Sequence, residues 1–141
     1  MAEVAERVDV PCVLDALQHL SMQAEQFAAT VDLPARTSFA LQLCLEEAVS
    51  NVIRYAGLAD GATVSVSLRC DDERLVVEII DGGTDFNPLQ VPEPARGTLE
   101  TASEGGRGIM LMRRFCPDIS YARTAGMNHL RLTFPLHRGP V

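Results

Sequence analysis

The sequence predicts an α/β two-layer sandwich, a mixed and mostly antiparallel sheet with helices on one face, built as a single domain over residues 1–141. Three observations carry that expectation. Apolar residues recur at three and four positions from about Leu14 to Ala56, the period of amphipathic helices. The period then changes to two in "TVSVSLRC", where Val64, Val66 and Leu68 alternate with Thr63, Ser65 and Ser67. Finally, strands come in pairs joined by short turns, which favours antiparallel neighbours with the helices segregated to one face.

Taken in order, Val8–Val10 reads as a short strand ended by Pro11. Leu14, Leu17, Leu20, Ala24, Phe27 and Ala28 mark a first helix reaching about Thr30. "DLPAR" breaks it, with Asp32 as N-cap and Pro34 in the first turn of a second helix. That helix runs to about Ala56 and Gly57 stops it; Leu41, Leu45, Ala48, Val52 and Tyr55 form its core-facing stripe. "GLADGA" is a turn, 63–70 and 74–81 are strands, and "DDE" is the hairpin between them. Residues 82–104 hold no sustained period and are rich in Gly, Pro, Thr and Ser, a loop long enough to read as functional or disordered. A third helix is expected from Ile109 to about Cys116, closed by Pro117. Two last strands, "DISYART" and "HLRLTFPL", turn at Ala125-Gly126.

Composition limits the function. At 47% hydrophobic and 22% charged residues, the chain has the make-up of a folded globular domain. A net charge of -7 and the absence of a basic cluster with interleaved aromatics argue against nucleic acid as a direct partner. No apolar run approaches a membrane span, and "MAEVAERVDV" interrupts its apolar residues too often for a secretory segment. Cys12, Cys44, Cys70 and Cys116 are scattered, with no C-x-x-C and no histidine at ligand spacing, so free thiols and a cytoplasmic location are expected.

Three stretches are over-endowed for structure alone. In "LCLEEAVSNVIRYA", Glu47 and Asn51 lie four apart on the shoulder of the buried stripe. Alone, that pair also fits a solvated helix edge. In "EIIDGGTDFNP", a strand ends at Asp81 and runs into Gly82 and Gly83, placing a carboxylate at the sheet edge where backbone can approach a ligand. A D-G turn would read the same way, yet Phe86, Asn87 and Pro88 open a long loop rather than a hairpin partner. In "SEGGRGIMLMRRF", Gly105, Gly106 and Gly108 open a helix, an arrangement suited to an anion, with Arg107 or Arg113 adding charge; it also fits a hinge without a ligand. No P-loop and no dinucleotide fingerprint is present.

In this order and spacing the three stretches resemble the GHKL ATPase superfamily, the Bergerat ATP-binding fold, and within it the stand-alone anti-sigma-factor serine/threonine-protein kinases. The resemblance covers about Val8 to Leu136. It implies ATP and Mg²⁺ as cofactors, with Glu47 as catalytic base and Asn51 as the metal ligand. It further implies Asp81 on the adenine amine, Gly83 giving close backbone approach, and Gly105, Gly106, Arg107 and Gly108 around the triphosphate. The lid is implied at about 86–104, with Phe86 and Asn87 at its entry. The implied partners are a STAS-domain anti-sigma antagonist, whose serine is phosphorylated, and a sigma factor held when unphosphorylated antagonist is scarce; a homodimer is also implied. The chain departs from the family pattern in three places. Asp85 replaces the second glycine after Asp81, Tyr55 stands where many relatives carry His, and Gly126-Met127-Asn128 stands where a Gly-Thr is usual. Glu46, beside Glu47, is a second carboxylate, although only Glu47 shares the helix face of Asn51. The other reading left open is a nucleotide-dependent interaction module that transfers nothing.

Overall fold

The computed structural model describes residues 2–90 and 104–136, with backbone alone for 104–107. Chain order is β1 (Val4–Pro11), α1 (Ala16–Thr30), α2 (Ala35–Tyr55), β2 (Thr63–Cys70), β3 (Arg74–Asp81), a 3₁₀ turn at Pro88–Gln90, α3 (Glu104–Phe115), β4 (Asp118–Thr124) and β5 (Met127–Pro135). The five strands form one sheet in the order β1-β2-β3-β5-β4, and every pairing is antiparallel. The expected two-layer architecture is present, with the three α-helices of the described residues in the second layer.

Alternation along the strands builds the core face. Val8, Val66, Ile79 and Leu130 occupy successive cross-strand positions, and Val10, Val64, Leu68, Val77 and Leu132 extend the same surface; all are buried. Against it pack Leu41, Cys44, Leu45, Ala48 and Val49 of α2, Leu20, Ala24 and Phe27 of α1, and Ile109 and Met112 of α3. Each large apolar side chain removed from water there stabilises the fold by about 1.5–3 kcal/mol. The opposite sheet face is polar, with Arg69 and Arg131 both reaching Glu78.

Several expectations shift. β1 is eight residues long rather than three, because "VAERVDVP" pairs with β2 along its whole length as an edge strand whose outer side chains are solvated. α1 begins at Ala16, which leaves Val13 and Leu14 exposed ahead of the helix. Asp32 does not cap α2. It ends α1 instead: its φ is 54°, the Asp32 N–H donates to the Ala29 carbonyl at 3.2 Å, and the Leu33 N–H reaches back to Ala28 at 2.9 Å. That is a Schellman ending with Asp in the left-handed position where Gly is usual, secured by the burial of Leu33. Pro34 then takes the N-cap position of α2. Tyr55 is expected on the core stripe but is 45% exposed, while Val52 and Ala56 of the same turn are buried.

α3 begins at Glu104 rather than Ile109, so Gly105, Gly106 and Gly108 lie inside its first turns instead of in a loop ahead of it. Once later residues have nucleated a helix against a partner, adding even a glycine costs only about 1 kcal/mol. α3 has that partner in α2, where Phe115 meets Phe39 edge-on at 5.6 Å.

Candidate functional site

The site lies where the C-terminal half of α2, the end of β3 and the start of α3 converge. α2 supplies Glu47 and Asn51 one turn apart. Asn51 is only 3% exposed, and its amide nitrogen is buried without a hydrogen-bond partner among the described residues. Leaving such a donor unmet costs about 1–3 kcal/mol, and a water or a polar ligand atom in the adjoining cavity would meet it. Gly108 of α3 comes down onto this pair. A β-carbon at Gly108 would overlap a Glu47 carboxylate oxygen, at 3.3 Å from Glu47 Cδ and 3.6 Å from Asn51 Nδ2. Glu46 is exposed and faces the groove between α1 and α2, so the two neighbouring carboxylates serve different surfaces.

β3 supplies Asp81 at the end of its buried face, 3% exposed. Its Oδ1 accepts from the Gly83 N–H and from Asn128 Nδ2, both at 2.9 Å. The sheet register puts Asn128 directly opposite Asp81 on one side and Arg123 on the other. Arg123 donates to Asn128 Oδ1 at 2.9 Å and to the Gly83 carbonyl at 2.8 Å. The Tyr121 hydroxyl is close to both Asn128 Oδ1 and Asp85 Oδ1. Burial, then the Asp85 carboxylate, raise the Tyr121 pKa, so the phenol stays protonated as a donor at neutral pH.

Between β3 and the 3₁₀ turn the chain is tied to the end of α2. The Ala56 carbonyl accepts from the Thr84 N–H at 2.7 Å and its hydroxyl at 3.2 Å. Gly83 crosses this point with no space for a side chain, its hypothetical β-carbon lying 2.6 Å from Ala56 Cβ. Its close approach is therefore to Ala56, not to an open ligand surface. Phe86 stacks obliquely on Tyr55 at 6.1 Å, giving the exposed Tyr55 a partner. Asn87 spends its side chain on the Leu89 N–H at 2.9 Å, starting the 3₁₀ turn. Arg113 holds that turn by donating to the Leu89 carbonyl at 2.6 Å.

Asn51 and Asp81 line one cavity with the part-exposed Phe86 and Tyr121 at its mouth and the buried Ala48, Ile79, Pro88 and Met112 behind them. Glu47 does not line it; it joins the site through Asn51 and Gly108. The enclosed space is about 20 Å³, room for a water molecule, so a purine enters only when side chains at the mouth shift. Of the expected residues, Glu47, Asn51, Asp81, Phe86 and Gly108 converge. Asn87 and Gly83 act in local structure, Gly105 and Gly106 contribute helix backbone, and the Arg107 side chain lies outside the described residues, as does residue range 91–103 of the expected lid. Tyr121, Arg123 and the bonding role of Asn128 were missed. Nothing in "DISYART" or "GMNHL" distinguishes them from ordinary strand residues until register sets them side by side.

The residues fit a metal-nucleotide ligand. The unmet Asn51 N–H suits a phosphate oxygen, while the Asn51 carbonyl is a hard oxygen donor of the kind Mg²⁺ takes alongside phosphates. Among the described residues there is no group of three or more His, Cys, Asp or Glu able to hold a metal. The Asp81 Oδ2 takes no hydrogen bond from the described residues and is the natural acceptor for an exocyclic amine.

A fold of this topology carrying these three clusters defines a nucleotide-binding ATPase domain. Residues 10–134 match the family described as the histidine kinase-like ATPase domain, and the chain belongs to that family. It is 37% identical over 101 residues to the serine/threonine-protein kinase BtrW of Bordetella bronchiseptica, an alignment covering 70% of this chain and 71% of that protein. Among solved structures it resembles the RsbU and RsbW domains of a Mycobacterium tuberculosis protein, with a TM-score of 0.69 and 14% identity. That match covers 96% of this chain and 33% of the other. The SiaB-SiaC complex of Pseudomonas aeruginosa matches at a TM-score of 0.60 and 13% identity, over 93% of this chain and 89% of the other. At these identities the two structural likenesses establish the fold. No helix among the described residues is long and apolar enough to cross a membrane.

Proposed function

We propose that the protein is an ATP- and Mg²⁺-dependent serine/threonine kinase that phosphorylates a STAS-type anti-sigma antagonist and sequesters a sigma factor when that antagonist is unavailable. The observation that carries this reading is the junction of Glu47, Asn51 and Gly108. It sets a carboxylate beside a buried, unmet amide at the start of α3. An ATP-binding module needs the amide; only phosphoryl transfer needs a base beside it. The homology to a named serine/threonine-protein kinase, and the likeness to a SiaB structure solved with a partner protein, support an enzyme that works on another protein.

In this reading Asp81 Oδ2 accepts the adenine amine, and the N–H groups of the helix N-terminus at Glu104–Gly108 face the phosphates. Asn51 would hold Mg²⁺, which would supply positive charge to neutralise the phosphates. The Glu47 carboxylate accepts the proton of the attacking serine hydroxyl. As the new oxygen–phosphorus bond forms, the bond to the bridging β,γ-oxygen breaks, and ADP leaves. The protein acts in the cytoplasm, as a homodimer.

Incubating the purified chain with γ-labelled ATP, Mg²⁺ and a STAS-domain antagonist from the same genome tests the proposal. Label on an antagonist serine, lost in Glu47→Gln with ATP binding retained, is the expected result. ATP binding with no transfer by the wild type would reassign the chain as a nucleotide-dependent interaction module.

A further inference from the structure

We propose that Asn128 is the positioning residue of the base pocket, orienting Asp81 so that one carboxylate oxygen is reserved for a 6-amino purine. This rests on the nucleotide reading above and extends it to a residue at which the chain departs from the pattern it resembles.

Asn128 sits between Asp81 and Arg123 in the sheet register, and both Asn128 and Asp81 are 3% exposed. Its amide is saturated. Nδ2 donates to Asp81 Oδ1 at 2.9 Å and to the Thr84 carbonyl at 2.8 Å. Oδ1 accepts from Tyr121, from Arg123 at 2.9 Å and from the Phe86 N–H at 3.4 Å. A primary amide has two donor hydrogens and two acceptor lone pairs, so nothing is left to bond a base directly. Asn128 therefore acts through its neighbours.

The consequence for Asp81 is directional. Oδ1 is committed to Asn128 and to the Gly83 N–H, which fixes the plane of the carboxylate and leaves Oδ2 available in a cavity that Asp81 lines. The same amide ties Thr84 and Phe86, so the orientation of the base acceptor and the position of the residue at the cavity mouth depend on one side chain. An acceptor held in this way favours a purine bearing an amine at C6. It opposes one bearing a carbonyl, whose lone pairs would face those of Asp81.

Calorimetric titration of the full chain with ATP, GTP and purine riboside triphosphate, which lacks the exocyclic amine, tests the role. Wild type is expected to prefer ATP to both. Asn128→Ala should weaken ATP at least tenfold but purine riboside triphosphate less than threefold, because that ligand never used Asp81. Equal losses for the two ligands would mean that Asn128 is merely structural and would overturn the proposal, as would unchanged ATP binding in Asn128→Ala when Asp81→Asn binds weakly. Failure of wild type to bind ATP at all would instead overturn the nucleotide reading. Should the alanine variant not melt cooperatively, hydrogen exchange of the Asn128 side-chain amide in wild type decides: slow exchange supports the saturated amide, and exchange as fast as an exposed asparagine refutes it.

Discussion

Gly108 packs its bare Cα against Glu47: a β-carbon at position 108 would stand 3.3 Å from the Glu47 carboxyl carbon and overlap one of its oxygens. The glycine lies within α3, so its replacement separates two effects that normally travel together. Gly108→Ala favours the helix by about 1 kcal/mol while forcing the carboxylate to rotate away. A melting temperature equal to or above that of wild type, with phosphotransfer reduced by roughly ten- to a hundredfold, is expected from thermal melts paired with the labelling assay.

The two adjacent carboxylates make an internal control. Glu46 faces the groove between α1 and α2, and Glu47 faces Asn51 and Gly108. Glu47→Gln should lower the transfer rate by about 10²–10⁴-fold with ATP affinity changed little, whereas Glu46→Gln should transfer at the wild-type rate. Single-turnover kinetics on both variants reads the difference.

Asn51 carries a buried donor that the fold leaves unmet. Its buried amide nitrogen has no partner, so Asn51→Leu removes an unmet donor and should leave the melting temperature unchanged or raise it. The same variant should lose at least tenfold in affinity for ATP with Mg²⁺, measured by calorimetry with and without EDTA.

Gly83 is a packing residue, and its replacement should be felt in stability first. A β-carbon there meets Ala56 Cβ at 2.6 Å and overlaps the Ala56 carbonyl, which is already pinned by Thr84. Overpacking against backbone that cannot yield costs about 1–3 kcal/mol, so Gly83→Ala should lower the melting temperature by roughly 5–10 °C.

Asp71 closes the β2–β3 hairpin by accepting the Glu73 and Arg74 N–H groups at 2.8 and 3.0 Å, and these bonds depress its carboxyl pKa below 3.8. A depressed folded-state value contributes stability that is fully present above the unfolded value and lost as pH falls through the folded one. The stability difference between wild type and Asp71→Ala should therefore be constant from neutral pH down to about pH 5 and shrink below pH 4. Urea titrations across that range check the sign.

Much of the fold was legible because it depends on periods. The change from a three-to-four spacing to strict alternation at Thr63 located the helices and the first hairpin, and Gly126 at φ 76° marks the last turn. Boundaries that depend on a distant partner were not legible. Pairing with β2 lengthened β1, docking on α2 drew Gly105 and Gly106 into α3, and the buried Leu33 let Asp32 adopt the left-handed conformation that ends α1. Gly83 was read as leaving room for a ligand, and its need to be glycine comes from Ala56.

From the order of residues alone came the pairing of Glu47 with Asn51, since a helix has one geometry and four residues make one turn. From there too came Asp81 as the last inward residue of a strand. Only the folded chain decided that Asn51 and Asp81 face the same cavity, that Gly108 closes on Glu47 while Glu46 is turned away, and that Asn128 stands between Asp81 and Arg123. Helical and strand periods are local properties of the backbone. The register of β3 against β5 and the seating of α3 on α2 arise from contacts between residues 47 to 76 positions apart, whose partners no local pattern encodes.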